Sequence, residues 1–409
     1  MAGAAAAVDV GSVDGAADSA ELEHAAAASE HASNNVNPDP TVRSLIDIPP
    51  GRRPEPNLGA VSTIRELLDL ARADVESGWL PSCQLAVARH GELVAFETFG
   101  AAGNDSRYCI FSCTKPIVAS AVWLLIGDGL LDVSRPVAEY VPDFATEGKG
   151  VITVEQVMLH TAGFPNAVMP LTDGADPVSR RAHFATWQLE WEPGTRFEYH
   201  ATSAHWVLAD IIERLSGLDF RDFVEQRVCA PLGLPRVLGI PEAEQQDIAK
   251  LVEIGDGPRD ELIMSLDEAA ARAAGVPGGG AVMRAADLAR FYQAVMHDPD
   301  GLWDAGVLHD AKTNVRCTFP DPLLDVPVNR TLGLVLAGDD GRHFMRYGSF
   351  GPANSPRSIG HGGAHMQVGW GDPATGFSFA YCTNGIDSDV MREAVRGLRL
   401  SDLAAALTD

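Results

Sequence analysis

Ser112 and Lys115 stand three residues apart in "FSCTKPIVASAVWLLIG". A hydroxyl held beside an amine is the arrangement of a nucleophile with its base. The chain has four lysines (115, 149, 250 and 312) and 22 serines in 409 residues. At ordinary serine usage, four lysines have about 0.2 serines three residues upstream. The other three lysines have Thr146, Asp247 and His309 there. The pairing is mildly unexpected and not decisive. On a helix, residues i and i+3 share a face, so the two side chains become neighbours. Pro116 is tolerated only near a helix start, which predicts Ser112 in the first turn. There the helix dipole favours the negative charge of an alkoxide. The apolar continuation predicts a helix through the core, where burial drives a lysine toward its neutral, proton-accepting form. Taken alone, the pair is equally explained by a helix-start serine and a lysine that reaches for solvent.

Other chemistry-bearing residues are fewer. His361 and His365 invite a zinc reading, but no carboxylate or cysteine set is spaced to complete it, so no metal and no cofactor are expected. No Gly-x-Ser-x-Gly elbow occurs, which removes the ordinary α/β-hydrolase arrangement. Cys109 and Cys113 flank the serine and read as core thiols. The six cysteines show no framework spacing, so all are expected to be reduced.

The elements that must position the serine follow from pattern. Residues 1–60 are Ala-rich, acidic and then Pro-rich, with too few large apolar groups to offset ordering, and read as a tail and linker. The ordered domain is expected over 61–409. "STIRELLDLARADVESG" has a helical apolar stripe, and "CQLAVARHGELVAFETFG" reads as two strands about a His90-Gly91 turn. From about 118 to 300 the pattern is mostly helical, with "SAHWVLADIIERLSG" closed by Gly217. Strand signals return in "TLGLVLAG", "HMQVGWGDP" and "TGFSFAYCTNG", and "DSDVMREAVRGLRL" is a terminal helix. The expected fold is α/β of the α+β type. Its antiparallel sheet is built from both chain ends, with flanking helices and an inserted all-helical subdomain.

A formal charge of −25 argues against nucleic acid and anionic membranes as partners. No apolar run reaches the 18 or so residues a membrane span needs. No Lys or Arg precedes Arg43, so the positive region of a secretory signal is missing and a cytoplasmic protein is expected.

The longer context adds more. "FSCTK", "GLLDVSRPVAEYVPDF", "ITVEQVMLHTAGFP", "WEPGTRFEYHATSAHWVLADIIERLSG", "PGGGAVMRAADLARFYQAVM" and "IGHGGAHMQVGWGDPATGFSFAYCTNG" occur in that order. Together they resemble the serine β-lactamase and penicillin-binding-protein superfamily, and within it the esterase branch related to class C β-lactamases. The resemblance covers about residues 62–395. It implies a serine hydrolase that works through an acyl-enzyme, with small carboxylic esters as substrates. Ser112 then matches the acylated nucleophile and Lys115 its activator. Tyr199 matches the tyrosine that shares base duty and returns the proton to the leaving group. His361-Gly362-Gly363 stands for the family's Lys-Thr-Gly strand, its glycines letting substrate come close. The N–H of Ala364 joins that of Ser112 as oxyanion hole, and His160 falls in a structural turn.

Two departures stand out. The family's Tyr-x-Asn is Tyr199-His200-Ala201 here, so the amide that grips a substrate's side chain is absent. His200, Ser203 and His205 are stand-ins to weigh, each more often a packed or capping residue. His365 and Met366 replace glycines of many relatives, which narrows the site. His361, with a reference pKa near 6.5, is expected to be mostly neutral at pH 7 and to gain a proton toward pH 6. Open alternatives are hydrolysis of β-lactams or D-amino-acid amides, acyl transfer to an alcohol, and a non-catalytic binding protein of the same fold.

Overall fold

The computed structural model describes residues 63–408. The tail and linker expected over 1–60 lie outside the described residues. The first described element is helix α1 (Ile64–Glu76), whose start is closed by a reciprocal Thr63–Glu66 capping box.

Six antiparallel strands form the main sheet. They are β1 (Ser82–Arg89), β2 (Glu92–Gly100), β3 (Val335–Leu336), β4 (Ile359–Gly360), β5 (Val368–Gly371) and β6 (Phe377–Thr383), in the order β2-β1-β6-β5-β4-β3. The first and last parts of the domain therefore meet at the β1–β6 pair, as expected from strands at both chain ends. The β1–β2 turn uses His90 (φ 52) and Gly91 (φ 86), the paired positive φ that suits a two-residue hairpin. "TLGLVLAG" yields only a two-residue strand. Gly333 (φ 98) turns tightly against the serine-bearing helix, where a Cβ would stand 2.2 Å from Ala119 Cβ.

Period-two alternation distributes the sheet's faces. Leu85, Val87, Phe379 and Tyr381 face α1 and the terminal helix α5 (Val390–Ala405). Ala86, Ala88 and Ala380 face the other way, into the larger core and helix α4 (Ala285–His297). Helix α4 lies close on the sheet because β5 offers Gly369 and Gly371. A Cβ at either would come within 3.0 Å of Tyr292 or Met296.

Helix α2 (Thr114–Gly127) runs through that larger core and is buried from Thr114 to Leu125. It is apolar all round, as a helix without a solvent face should be. It packs on α3 (Ser203–Ser216), and Trp123 donates to Leu332 O at 2.7 Å. The stretch between α2 and α4, expected to be all-helical, consists of helices, most of them short, joined by long loops, and also holds two short strands. Val282–Met283 pairs with Tyr108–Cys109, and Val252–Ile254 with Gly385–Asp387. Helix α4, the last of that stretch, packs on the sheet instead of on the helical layer. Among the described residues no helix is long and apolar enough to cross a membrane.

Candidate active site

Ser112 sits in a 3-10 turn, Phe111–Cys113, directly ahead of α2. It therefore precedes the α-helix, where the sequence pattern placed it inside the first turn. In a 3-10 turn, side chains three apart eclipse one another, so the Ser112–Lys115 alignment is kept. The turn is held from several sides. Phe111 takes φ 43, Cys113 N–H bonds Ile110 O, and Thr114 Oγ1 donates to Phe111 O at 2.6 Å while accepting Ala281 N–H at 3.1 Å. Pro116 lies within the first turn of α2, where its missing N–H costs nothing.

Lys115 is 1% exposed, and its Nζ reaches three oxygens: Ser112 Oγ at 3.1 Å, Ala201 O at 2.7 Å and Gly278 O at 2.7 Å. Burial, reinforced by the Arg330 guanidinium, holds its pKa well below that of a free lysine. A neutral amine has two N–H groups and one lone pair. In that form the carbonyls of Ala201 and Gly278 take the two N–H groups and the lone pair faces the Ser112 hydroxyl, whereas the charged amine donates to all three oxygens.

Tyr199 stands across from this pair, with Lys115 Nζ 4.8 Å from its ring centroid. Its ring lies between Tyr347, at 4.7 Å and 10°, and His160, at 4.8 Å and 29°. Its hydroxyl is buried beside the Ser112 hydroxyl, and among the described residues no group bonds it in full hydrogen-bond geometry. Burial raises the phenol pKa to about 12, with Arg330 and the Ser112 hydroxyl pulling the other way. At neutral pH the ring therefore carries its proton.

His361 is fully buried. Its Nδ1 is 2.7 Å from Gly362 O and its Nε2 is 3.2 Å from Arg330 Nη1, a donor, so Nδ1 carries the only proton. Burial, then the charges of Arg330 and Lys115, push its pKa well below 6.5. The expected protonation near pH 6 is therefore corrected: this imidazole stays neutral. The glycines after it also have another reason than substrate access. A Cβ at Gly362 would stand 2.0 Å from Ser349 Oγ, and one at Gly363 2.4 Å from Ile110 O. Gly362 lets this segment pass close to Ser349, and Gly363 lets it lie against the serine turn, where His361 O accepts from Cys113 Sγ at 3.0 Å. Ala364 follows, and among the described residues neither its N–H nor that of Ser112 meets a protein acceptor.

The remaining candidates are engaged elsewhere. His200 Nε2 accepts Phe164 N–H at 3.1 Å and its Nδ1 is 2.7 Å from Glu198 O, leaving no ring nitrogen for a substrate amide. Ser203 Oγ donates to Phe164 O at 3.1 Å. His205 is buried with Nδ1 unpartnered, and His160 Nδ1 accepts the His200 N–H. The six cysteines are free and buried, and burial raises the Cys113 thiol well above its usual pKa. Among the described residues no cluster of three or more His, Cys, Asp or Glu could hold a metal.

Sequence reasoning missed Arg330. It is 1% exposed, bonded to His361, and lies 5.2–5.6 Å from the rings of Tyr199, Tyr347 and Phe197. Among the described residues it forms no ion pair. No local pattern could have flagged it, because the chain returns to the site from 131 residues beyond Tyr199.

Fold and site together define a β-lactamase-type architecture with a serine beside a buried lysine. The chain belongs to the beta-lactamase family, whose model matches residues 62–403, within the serine β-lactamase and penicillin-binding-protein superfamily. It is 28% identical over 322 residues to the esterase/beta-lactamase LipL of Mycobacterium tuberculosis, covering 70% of this chain and 71% of that protein. Among solved structures it resembles a penicillin-binding-protein homologue from Caulobacter crescentus, with TM-score 0.70, 22% identity, and 85% of this chain and 99% of that one covered. It also resembles a family VIII carboxylesterase, with TM-score 0.68, 22% identity and 84% and 98% coverage. At those identities the two structures speak for the fold alone.

Proposed function

We propose that the protein cleaves small carboxylic esters through an acyl-Ser112 intermediate. One observation carries this reading: a buried Lys115, whose pKa burial holds well below that of a free lysine, stands 3.1 Å from the Ser112 hydroxyl with the carbonyls of Ala201 and Gly278 as its other partners. Lys115 takes the serine proton as Oγ bonds to the ester carbon. Tyr199, protonated at rest, gives its proton to the departing alkoxide and is recharged from Lys115, so the proton count closes. The free N–H groups of Ser112 and Ala364 take the developing oxyanion. Water then attacks the acyl carbon, losing a proton to the same pair, and Oγ leaves as the hydroxyl. No cofactor enters the cycle. Residues 61–409 constitute the hydrolase domain in this reading, and six buried thiols fit a reducing, cytoplasmic setting.

Hydrolysis of β-lactams is the second reading, supported by the name of the relative LipL. Two features weigh against it. Ala201 offers no amide to a β-lactam's side chain, and an amide buried without its partner costs about 1–3 kcal/mol. His361, locked neutral, offers no charge to the substrate carboxylate, and Arg330 behind it is enclosed. An ester has neither group to lose. Specificity constants for p-nitrophenyl butyrate and nitrocefin, measured side by side at pH 8, test the choice. The ester is expected to lead by about a hundredfold or more. Comparable values would put the β-lactam reading first.

A further inference from the structure

The residue after Ala364 begins a strained turn. His365 (φ 51) and Met366 (φ 56) are successive non-glycine residues with left-handed backbone. Such conformations persist only where the surroundings hold them. Here the terminal helix α5 holds them. Glu393 and Gly397 are four residues apart and so share one helix face. Glu393, 5% exposed, meets His365 Nδ1 with both oxygens, at 3.0 and 3.1 Å, and also accepts the Asp387 N–H at 3.0 Å. One turn on, Gly397 makes room for Met366, since a Cβ there would stand 2.2 Å from Met366 Cε and 3.0 Å from its Cβ. On the other side, the Gln367 amide bonds both Thr383 N–H and Thr383 O on β6, and Gln367 O accepts the Gly363 N–H. Ala364 lies between these clamps.

We infer that Glu393 and Gly397 are positioning residues for the Ala364 N–H, aiming it, through His365 and Met366, at the oxygen that becomes negative during acyl transfer. The inference rests on the ester-cleaving reading above. Neither residue touches the reacting atoms. A donor of this kind acts by standing where charge will develop. Loosening it therefore raises the transition state and leaves substrate binding nearly unchanged, so kcat falls while KM holds.

The test uses the full chain with p-nitrophenyl butyrate and its thiono analogue, in which sulfur replaces the carbonyl oxygen. Sulfur makes a longer bond to carbon and accepts hydrogen bonds weakly, so a tight donor pair favours the oxygen ester. Outright loss of one such donor costs about 10²- to 10³-fold in kcat, so Glu393→Ala, which only displaces it, is expected to cost about 10- to 100-fold. KM should stay within about threefold, and the oxygen-to-thiono rate ratio should shrink by about tenfold. Glu393→Gln, whose amide oxygen can still accept from His365, should recover most of that ratio. Gly397→Ala keeps the carboxylate and should move the ratio the same way, which decides the matter where Glu393→Ala does not fold. A fall in kcat with the ratio unchanged, or no fall in either variant, overturns the inference and leaves the ester reading standing. A wild type that turns over neither ester takes both down.

Discussion

Lys115 and Lys149 occupy sites of the same construction in two parts of the molecule. Each is buried, each donates to two main-chain carbonyls, and each stands beside a hydroxyl three residues earlier. Lys149 Nζ reaches Trp187 O at 2.5 Å, Thr146 O at 2.9 Å and Thr146 Oγ1 at 3.2 Å. The Thr146 hydroxyl, however, spends its proton on Ala185 O at 2.9 Å. Among the described residues the Ser112 hydroxyl gives its proton to no carbonyl; its neighbours are Lys115 Nζ and the Tyr199 phenol. Burial lowers the pKa of both amines, but the nearby Glu147 opposes it at Lys149, whereas Arg330 reinforces it at Lys115. A lysine beside a hydroxyl is thus not yet a site. What separates the two is a hydroxyl proton left uncommitted, a second buried cation, and N–H groups free to meet an oxyanion.

The largest effect that could break this comparison is at the hydroxyls. Ser112→Ala should lower ester turnover by about four orders of magnitude or more, since a covalent nucleophile is lost. Thr146→Ala should leave turnover within about twofold, as a change far from the reacting atoms. Steady-state assays of the two variants decide it, and a loss on the Thr146 side would erase the distinction.

At the amines, Lys115→Ala and Tyr199→Phe should each slow acylation by about 10²- to 10⁴-fold, the span of general acid–base catalysis. The double variant should lose little more than either single one, because residues acting as a unit are non-additive. Losses that multiply would show independent roles. Lys149→Met should instead act on stability. It strands two carbonyls at about 1–3 kcal/mol each, a fall of several degrees in Tm, with kcat unchanged.

Much of this framework is legible locally. The His90-Gly91 hairpin, the Gly217 helix stop and the strands of "TGFSFAYCTNG" depend on neighbours in the chain, so pattern finds them. The Ser112–Lys115 alignment is legible for the same reason. Arg330, the carbonyls of Ala201 and Gly278, and the sandwich of Tyr199 between His160 and Tyr347 come from the return of distant segments, which periodicity does not encode. The tight turns at Gly333 and His365 were hidden too. They answer to close approach by Ala119 and Glu393, and the residues beside them read as ordinary strand.

Charge sharpens the comparison further. Removing the guanidinium in Arg330→Gln should raise the pKa of Lys115, so that more of it is protonated at neutral pH. In the proposed mechanism activity rises with pH as Lys115 loses its proton, so the acid limb of the rate profile should move to higher pH and activity on that limb should fall. An unmoved limb would leave Arg330 a packing residue.

A smaller effect is expected in stability. Burial holds His160, His200, His205 and His361 below the ordinary 6.5, His200 at about 4. They are neutral when folded, and the unfolded chain takes up more protons below pH 6.5. Their contribution is therefore full above pH 6.5 and is lost as pH falls toward about 4. Tm should drop by about 5 °C or more between pH 7 and 5, and calorimetry across that range checks it.

Covalent labelling tests the central claim most directly. Full-length protein treated with a fluorophosphonate at pH 8 and mapped by peptide mass spectrometry is expected to carry one adduct, on Ser112, formed far more slowly in Lys115→Ala. An adduct on Thr146 or another hydroxyl, or no adduct on a folded protein, would contradict the account.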